Sequence, residues 1–313
     1  MSQVTTLVLV SVGNTRTRIA IAKGPGGEFA KAVVEPSVVV ENAAAGSLES
    51  AVRAAADGLD ASRSQVLVAS VNDALLPRIT AALGGLGRGG GTSGLAITRL
   101  GNGSGGTVRV PVVMDVQGSG STVGVDRLLC ALAASARSGG AACAVIDAGT
   151  CVTVDFVDAH AVFQGGAIAP GVGLMLKSMH GGTSALPSVL PPRKGDDTAW
   201  ITTDEVKGAM GKNTEQAMLL GTLNAVRGLV RWQVEKFAEA AGSYPRVIAT
   251  GGDAPLLFDP RIAGAGDDLV EHIVPDLQLV GMVAAWTLLQ GNSAAGGDEA
   301  LDEFGREDEG DGE

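Results

Sequence analysis

The strongest constraint on this chain is a pattern that occurs twice. Leu7–Val12 is an apolar run interrupted only by Ser11, Gly13-Asn14-Thr15 breaks it, and Thr17–Lys23 resumes it. Ala142–Asp147, the turn Ala148-Gly149-Thr150 and Val152–Val157 repeat the arrangement 136 residues later, counted from Gly13 to Gly149. Short β-branched runs separated by Gly, Asn and Thr read as strand, tight turn, strand. A third strand follows in each copy, Phe29–Val34 and Val162–Ile168. Helical periodicity comes next, over Leu48–Ala61 and from Gly173 to His180. The spacing is far too long for a solenoid repeat. It predicts duplication of a whole α/β domain, with a cleft between the copies where ligand sites commonly lie.

The rest of the chain fits this plan. Strands are expected at Gln65–Val71, Leu95–Leu100 and Arg246–Thr250, and helices at Leu75–Leu83, Gly124–Ser138, Asn213–Ala241 and Val280–Gln290. The domain limits expected are 1–123, 124–290 and a tail over 291–313. A length of 313 residues suits two domains. No apolar run approaches the ~18 residues a membrane span needs, so no membrane partner is expected. The formal net charge is -11, and the last sixteen residues, Asp298–Glu313, hold nine acids and one arginine of it. Such a segment buries too little apolar surface to order itself. Acidity also argues against nucleic acid as a partner. The first six residues carry no charged n-region, so no signal peptide is read. Cys130, Cys143 and Cys151 lack metal spacing and suit buried thiols in a reducing cytoplasm.

Three polar turns follow apolar strands: Ser11-Val12-Gly13-Asn14-Thr15, Asp147-Ala148-Gly149-Thr150 and Thr250-Gly251-Gly252-Asp253-Ala254. Glycine allows close backbone approach, and exposed N–H groups with Asn and Thr side chains can hold phosphate oxygens. A carboxylate at a strand end can hold a cation. One such turn alone reads as an ordinary hairpin connection. Three, in symmetric halves, favour a nucleotide held between two domains. Two other patterns fail. Gly85-Leu86-Gly87-Arg88-Gly89-Gly90 has dinucleotide glycine spacing, but a helix precedes it and a strand follows, the reverse of what that motif needs. Gly211-Lys212 lacks the P-loop's first glycine, since Val206 stands there, and Asn213 follows the lysine. His160, His180 and His272 share no metal spacing. Leu219–Trp232, apolar at helical spacing, reads as a dimer surface or as ordinary core.

The set resembles the actin, hexokinase and Hsp70 superfamily, and within it the type III pantothenate kinase family. The resemblance rests on Gly13-Asn14-Thr15, Gly124-Val125-Asp126-Arg127, Asp147-Ala148-Gly149-Thr150, Gly165–Gly171, Thr183–Pro187, Gly211–Thr214 and Thr250–Ala254, in that order. It implies two actin-like, ribonuclease H-like α/β domains around a central cleft. It implies ATP-dependent phosphorylation of pantothenate, the opening step of coenzyme A synthesis, by a cytoplasmic homodimer. By resemblance, Asp126 is the general base, and Gly124, Val125, Asp126, Arg127 and Thr183 bind pantothenate. Ser11, Val12, Gly13, Asn14, Thr15, Arg16, Thr17 and Arg18 form the first phosphate loop. Thr150 belongs to the second, and Gly251 and Gly252 lie on the adenosine side. Asp147 is implied as ligand of a monovalent cation, K+ or NH4+, with Mg2+ arriving on ATP.

Two departures stand out. The family's first loop begins with an aspartate that helps organise the metal, and here the residue is Ser11. Losing one electrostatic contributor in such a site costs about 3–4 kcal/mol of transition-state stabilisation. An aromatic or Asn-Pro segment usually covers the substrate before Gly124, where this chain has Gly118-Ser119-Gly120-Ser121. Two functions remain open at this level. One is the kinase, favoured by Asp126, Arg127, Asp147, Thr150 and Thr183. The other is a non-catalytic nucleotide-binding relative acting as a regulatory accessory factor, favoured by Ser11.

Overall fold

The computed structural model describes residues 4–28, 32–44, 46–83, 94–103, 106–117, 122–192, 210–260 and 269–294. The glycine-rich segment over 84–93, the Gly118–Ser121 segment, Trp200 and the acidic tail lie outside them.

The duplication is realised strand by strand. The first sheet contains β1 (Thr6–Val12), β2 (Arg16–Lys23), β3 (Val33–Val34), β4 (Val38–Glu41), β5 (Ser64–Ser70), β6 (Ala96–Gly101) and β7 (Val108–Arg109). Its order is β3-β2-β1-β5-β6-β7, with β4 also pairing β2. β2 runs antiparallel to β1, and β5 parallel to it. The second sheet contains β8 (Val113–Met114), β9 (Cys143–Ala148), β10 (Cys151–Val157), β11 (Val162–Pro170), β12 (Arg246–Thr250) and β13 (His272–Ile273), in the order β13-β12-β9-β10-β11-β8. Here β10 is antiparallel to β9, and β12 parallel to it. β1 and β9 therefore hold equivalent central places, each followed by an antiparallel neighbour across a three- or two-residue turn. This is the ribonuclease H-like arrangement in two copies, and the chain is α/β.

Helices separate and cover the sheets. They are α1 (Ser47–Ala56), α2 (Leu76–Leu83), α3 (Val125–Ser138), α4 (Val172–Gly182), α5 (Thr214–Ala241), α6 (Ala254–Phe258) and α7 (Leu277–Ala294). β1 is buried on both faces, which is why it reads as an unbroken apolar run. Val8, Val10 and Val12 join Leu48 and Val52 of α1 and Ile79 and Leu83 of α2 in one core. Leu7 and Leu9, on the opposite face, join Leu128 and Leu129 of α3 and Leu279 and Met282 of α7. Cys143 and Val145 of β9 enter that same core from the second sheet. α3 and α7 thus form a layer between the sheets. The outer face of the second sheet, with Ala144, Ile146 and Val154, packs on Leu176 of α4 and on Leu223, Val226 and Val230 of α5.

Local chemistry delimits the helices. Asn213 caps α5 by accepting from the Gln216 amide at 2.8 Å, and Gln216 Oε1 accepts from the Lys212 amide at 2.8 Å. Both orphan donors are thereby satisfied reciprocally. Gly242 ends the helix at φ 72°. The α5 stripe expected as dimer surface or core resolves residue by residue. Leu219, Leu223, Val226 and Val230 lie in the second sheet's core, while Trp232 is 61% exposed. The strand expected over Phe29–Val34 is only Val33–Val34 among the described residues, and β4, β7, β8, β13 and α6 were not expected.

Candidate active site

The three polar turns come together where the sheets face each other. The first turn is closed by the Gly13 amide donating to the Arg16 carbonyl at 2.9 Å. The second is closed by the Gly149 amide and the Cys151 carbonyl at 2.9 Å. Thr15 Oγ1 and Thr150 Oγ1 share a hydrogen bond of 2.9 Å across 135 residues of sequence. The Asp253 amide donates to the Ala148 carbonyl at 2.9 Å, joining the third turn to the second. Gly252 adjoins the first turn as well: a Cβ placed there would lie 3.5 Å from Arg16 Nη1. Gly251 has φ +96°, and a Cβ on it would strike the Ala148 carbonyl and come within 2.6 Å of Asp147 Oδ1. Only glycine fits that position.

Ser11, one residue before the end of β1, is almost completely buried, and its hydroxyl donates to Gln278 Oε1 of α7 at 2.7 Å. Arg18 Nε lies 3.2 Å from Asp276 Oδ1, and the Ser37 hydroxyl donates to Asp276 Oδ2 at 2.6 Å. The start of α7 is therefore tied to the strands that carry the first turn. Arg16 pairs at 3.6 Å with Glu41, a surface contact of small energetic weight.

Gly124 caps α3 without a side chain, which puts Asp126 and Arg127 in its first turn. Asp126 Oδ1 accepts from the Arg127 amide at 2.9 Å. Burial raises the Asp126 carboxyl above the ordinary aspartate range, opposed by that amide and the Arg127 charge. Arg127 does not stand free. Its Nε donates to both oxygens of Asp155 at 3.1 Å, and its Nη2 also donates to Asp155. Asp155 is 2% exposed, and the guanidinium carbon lies 5.4 Å above the Phe163 ring. Burial raises Asp155, and the Arg127 hydrogen bond opposes it. Gly166 packs beside this pair, since a Cβ there would be 2.7 Å from Asp155 Cα and Oδ1. Thr183 ends α4, exposed, with its hydroxyl donating to the Met179 carbonyl at 2.8 Å.

Asp147 closes β9. Burial pushes its carboxyl up to about 6, helped by the negative charge of Asp126 and opposed by Arg18. Among the described residues it forms no ion pair, and no three His, Cys, Asp or Glu side chains converge as a metal cage. A half-buried acid lacking a cation of its own suits a cation brought in by solution or nucleotide. Mg2+ in particular binds through one or two carboxylates plus substrate phosphates. A single carboxylate of this kind can take part in holding such a cation.

A testable consequence follows from the sign of the Asp147 shift. Its folded-state value lies above that of an unfolded aspartate, ~4. Its contribution to stability is thus full below about pH 4 and lost as pH rises through about 6. Asp147→Asn should unfold at higher temperature than the parent at pH 7.5, by up to about 2–3 kcal/mol of stability. That gain should vanish near pH 4. An equal gain at both pH values would assign it to something other than this carboxyl.

Residues that no local motif signalled complete the site. Asn42 and Asp155 contact the motif residues directly, and Asp276 and Gln278 brace them. Asp155, an acid inside the apolar run Val152–Val157, carried the one readable signal. A cavity of about 370 Å³ at the end of α5, lined by Glu235, Ala238, Glu239, Gly242, Ser243 and Tyr244, includes none of the loop residues.

Two sheets with the same ribonuclease H-like strand order thus meet at three polar turns, with carboxylates near the strand and helix ends. The family model for type III pantothenate kinase matches residues 7–236, and the chain belongs to that family. The type III pantothenate kinase of Rhodopirellula baltica is 42% identical over 161 residues, covering 50% of this chain and 55% of the relative. That of Akkermansia muciniphila is 33% identical over 160 residues, covering 51% and 58%. The chain thus spans little more than half the length of these curated relatives. Among solved structures, component A of (R)-2-hydroxyglutaryl-CoA dehydratase from Acidaminococcus fermentans overlaps 93% of this chain and 99% of its own, at 15% identity and TM-score 0.47. An archaeal actin homologue overlaps 91% and 99%, at 14% identity and TM-score 0.43.

Proposed function

We propose that this chain transfers the γ-phosphoryl group of ATP to the primary hydroxyl of pantothenate, giving 4'-phosphopantothenate and ADP. The observation that carries this reading is the convergence of the three polar turns beside Asp126 and Asp147. Backbone N–H groups of the turns with the Thr15 and Thr150 hydroxyls bind the phosphates. Gly251 and Gly252 form the adenosine side, where absent side chains admit the nucleotide. Asp126 takes the hydroxyl proton as the substrate oxygen bonds to the γ-phosphorus and the bridge to the β-phosphate breaks. Its raised affinity for protons suits that task. Arg127, held by Asp155, presents its remaining donors to the pantothenate carboxylate, and Gly124, Val125 and Thr183 line the same substrate. Mg2+ arriving on ATP would screen the phosphate charge, and Asp147 would hold the monovalent cation. The same family reading carries a homodimer, which light scattering reads directly. It also carries a cytoplasmic setting, in keeping with Cys130 and Cys143 as buried free thiols; Cys151, expected buried as well, is exposed because it starts β10 at the polar turn. The deciding assay supplies full chain, ATP, Mg2+, K+ and pantothenate. Formation of 4'-phosphopantothenate supports the reading, and its absence with intact ATP binding defeats it.

Ser11 bears on metal use. The hydroxyl is neutral, and its bond to Gln278 leaves the strand end without a carboxylate where Mg2+ would approach. In Ser11→Asp the Gln278 amide can turn to donate its Nε2 hydrogens to the new carboxylate. The variant should lower the Mg2+ concentration for half-maximal velocity about 10-fold. Unchanged Mg2+ dependence with poorer ATP binding would show that serine is no deficit.

A further inference from the structure

We propose that Asn42 is the positioning residue of the first phosphate loop, setting the affinity for ATP without touching it. The inference rests on the nucleotide-site reading above and adds a residue to it. Asn42 follows β4, outside every motif of the chain, yet its contacts are directed at one turn. Its Nδ2 donates to the Gly13 carbonyl at 2.8 Å and to the Asn14 carbonyl at 3.1 Å. Its Oδ1 accepts from the hydroxyl of Thr17 at 2.7 Å, and its backbone amide donates to the Thr15 carbonyl at 2.9 Å. One side chain and its own amide thus engage Gly13, Asn14, Thr15 and Thr17.

The chemistry gives the brace a direction. The Gly13 and Asn14 carbonyls can only accept, so they settle which end of the Asn42 amide faces the turn, and Oδ1 is left to accept from the buried Thr17 hydroxyl. With Oδ1 committed to Thr17, both Nδ2 hydrogens point at carbonyls. With the Gly13 and Asn14 carbonyls held on Asn42, the conformation of the turn is fixed, and Thr15 Oγ1 reaches across to Thr150. The brace is itself anchored. The Asn42 carbonyl accepts from Arg78 Nη1 at 3.5 Å, and Arg78 makes a two-pronged contact with Glu49 at 2.6 and 3.1 Å. β4 also pairs with β2 from Arg16 to Ile19, so Asn42 cannot drift from the turn it serves.

Asn42→Asp separates positioning from packing. It keeps the shape and the acceptor for Thr17, but sets a carboxylate against two carbonyl oxygens. With the full chain, ATP·Mg2+ and pantothenate, KM for ATP should rise about 10–100-fold. KM for pantothenate should stay within about twofold, a split that a general loss of structure would not produce. Thr17→Val, isosteric and suited to a strand, should move ATP KM the same way by about 3–10-fold. The double variant should fall short of the product of the single effects, because both act on one brace. Direct titration with ATP·Mg2+ reads the same losses if the parent proves unable to phosphorylate pantothenate. That outcome would defeat the substrate reading while leaving the Asn42 inference standing on ATP affinity. ATP affinity unchanged in Asn42→Asp, or both KM values shifted equally, overturns the inference. If Asn42→Asp fails to fold, Thr17→Val decides by the same criteria.

Discussion

Asp126→Asn should lose pantothenate phosphorylation by about 10²–10⁴-fold in kcat, while ATP binds as before. The carboxamide keeps the volume and can still accept from the Arg127 amide, but it cannot take a proton from a hydroxyl. The pH profile should change with it. Burial raises the Asp126 carboxyl, so the ionised base accumulates only above the ordinary aspartate range. Parent kcat/KM for pantothenate should climb through that raised value as pH rises, and the residual rate of the variant should lack that limb. Steady-state kinetics across pH, with ATP binding measured separately, checks both parts. A variant turning over at the parent rate would remove Asp126 from the mechanism.

Asp155→Ala should cost about 3–5 kcal/mol of stability, the effect of stranding a buried guanidinium without its acid. The pair is deeply buried, with side chains 15% and 2% exposed. Urea unfolding measures the loss. Replacing both partners by apolar residues of similar size, Arg127→Met with Asp155→Leu, should recover most of it, because the charge no longer needs a partner. That double variant should remain impaired toward pantothenate, since the guanidinium is gone. A loss below about 1 kcal/mol in Asp155→Ala would mean that water reaches Arg127 and that the pair organises little.

The three turns, and the positions of Asp126 and Asp147 near strand and helix ends, were legible from the local sequence. Ser11, Asp147 and Thr250 lie at or one residue before the ends of apolar strands, and a polar residue there followed within two positions by glycine is a local signal. The place of Asp126 in the first turn of a helix was legible locally, while its role as base came only from the family resemblance. Asn42 was not, because its role depends on β4 lying beside β2, and Val38–Glu41 is too short and too exposed to announce a strand. Gln278 lies 267 residues from Ser11 and was equally silent. The pairing of Arg127 with Asp155 needed the orientation of α3 over β10, which no spacing along the chain encodes. The α5 stripe was legible as apolar, yet only the packed sheet decided that Leu219 to Val230 serve the core and Trp232 faces outward.

What the sequence determined by itself was the repeated unit. The alternation of apolar runs with Gly-Asn-Thr and Gly-Thr turns is local chemistry, and it specified strands, turns and the α/β class without reference to distant residues. Partners across the fold were decided only in three dimensions. Thr15 meets Thr150, Asp253 meets Ala148 and Ser11 meets Gln278 because burying α3 and α7 between two sheets brings the β1 and β9 ends together. Hydrophobic burial is non-directional: it requires a shared core, while the polar contacts at its edge follow from how that core closes.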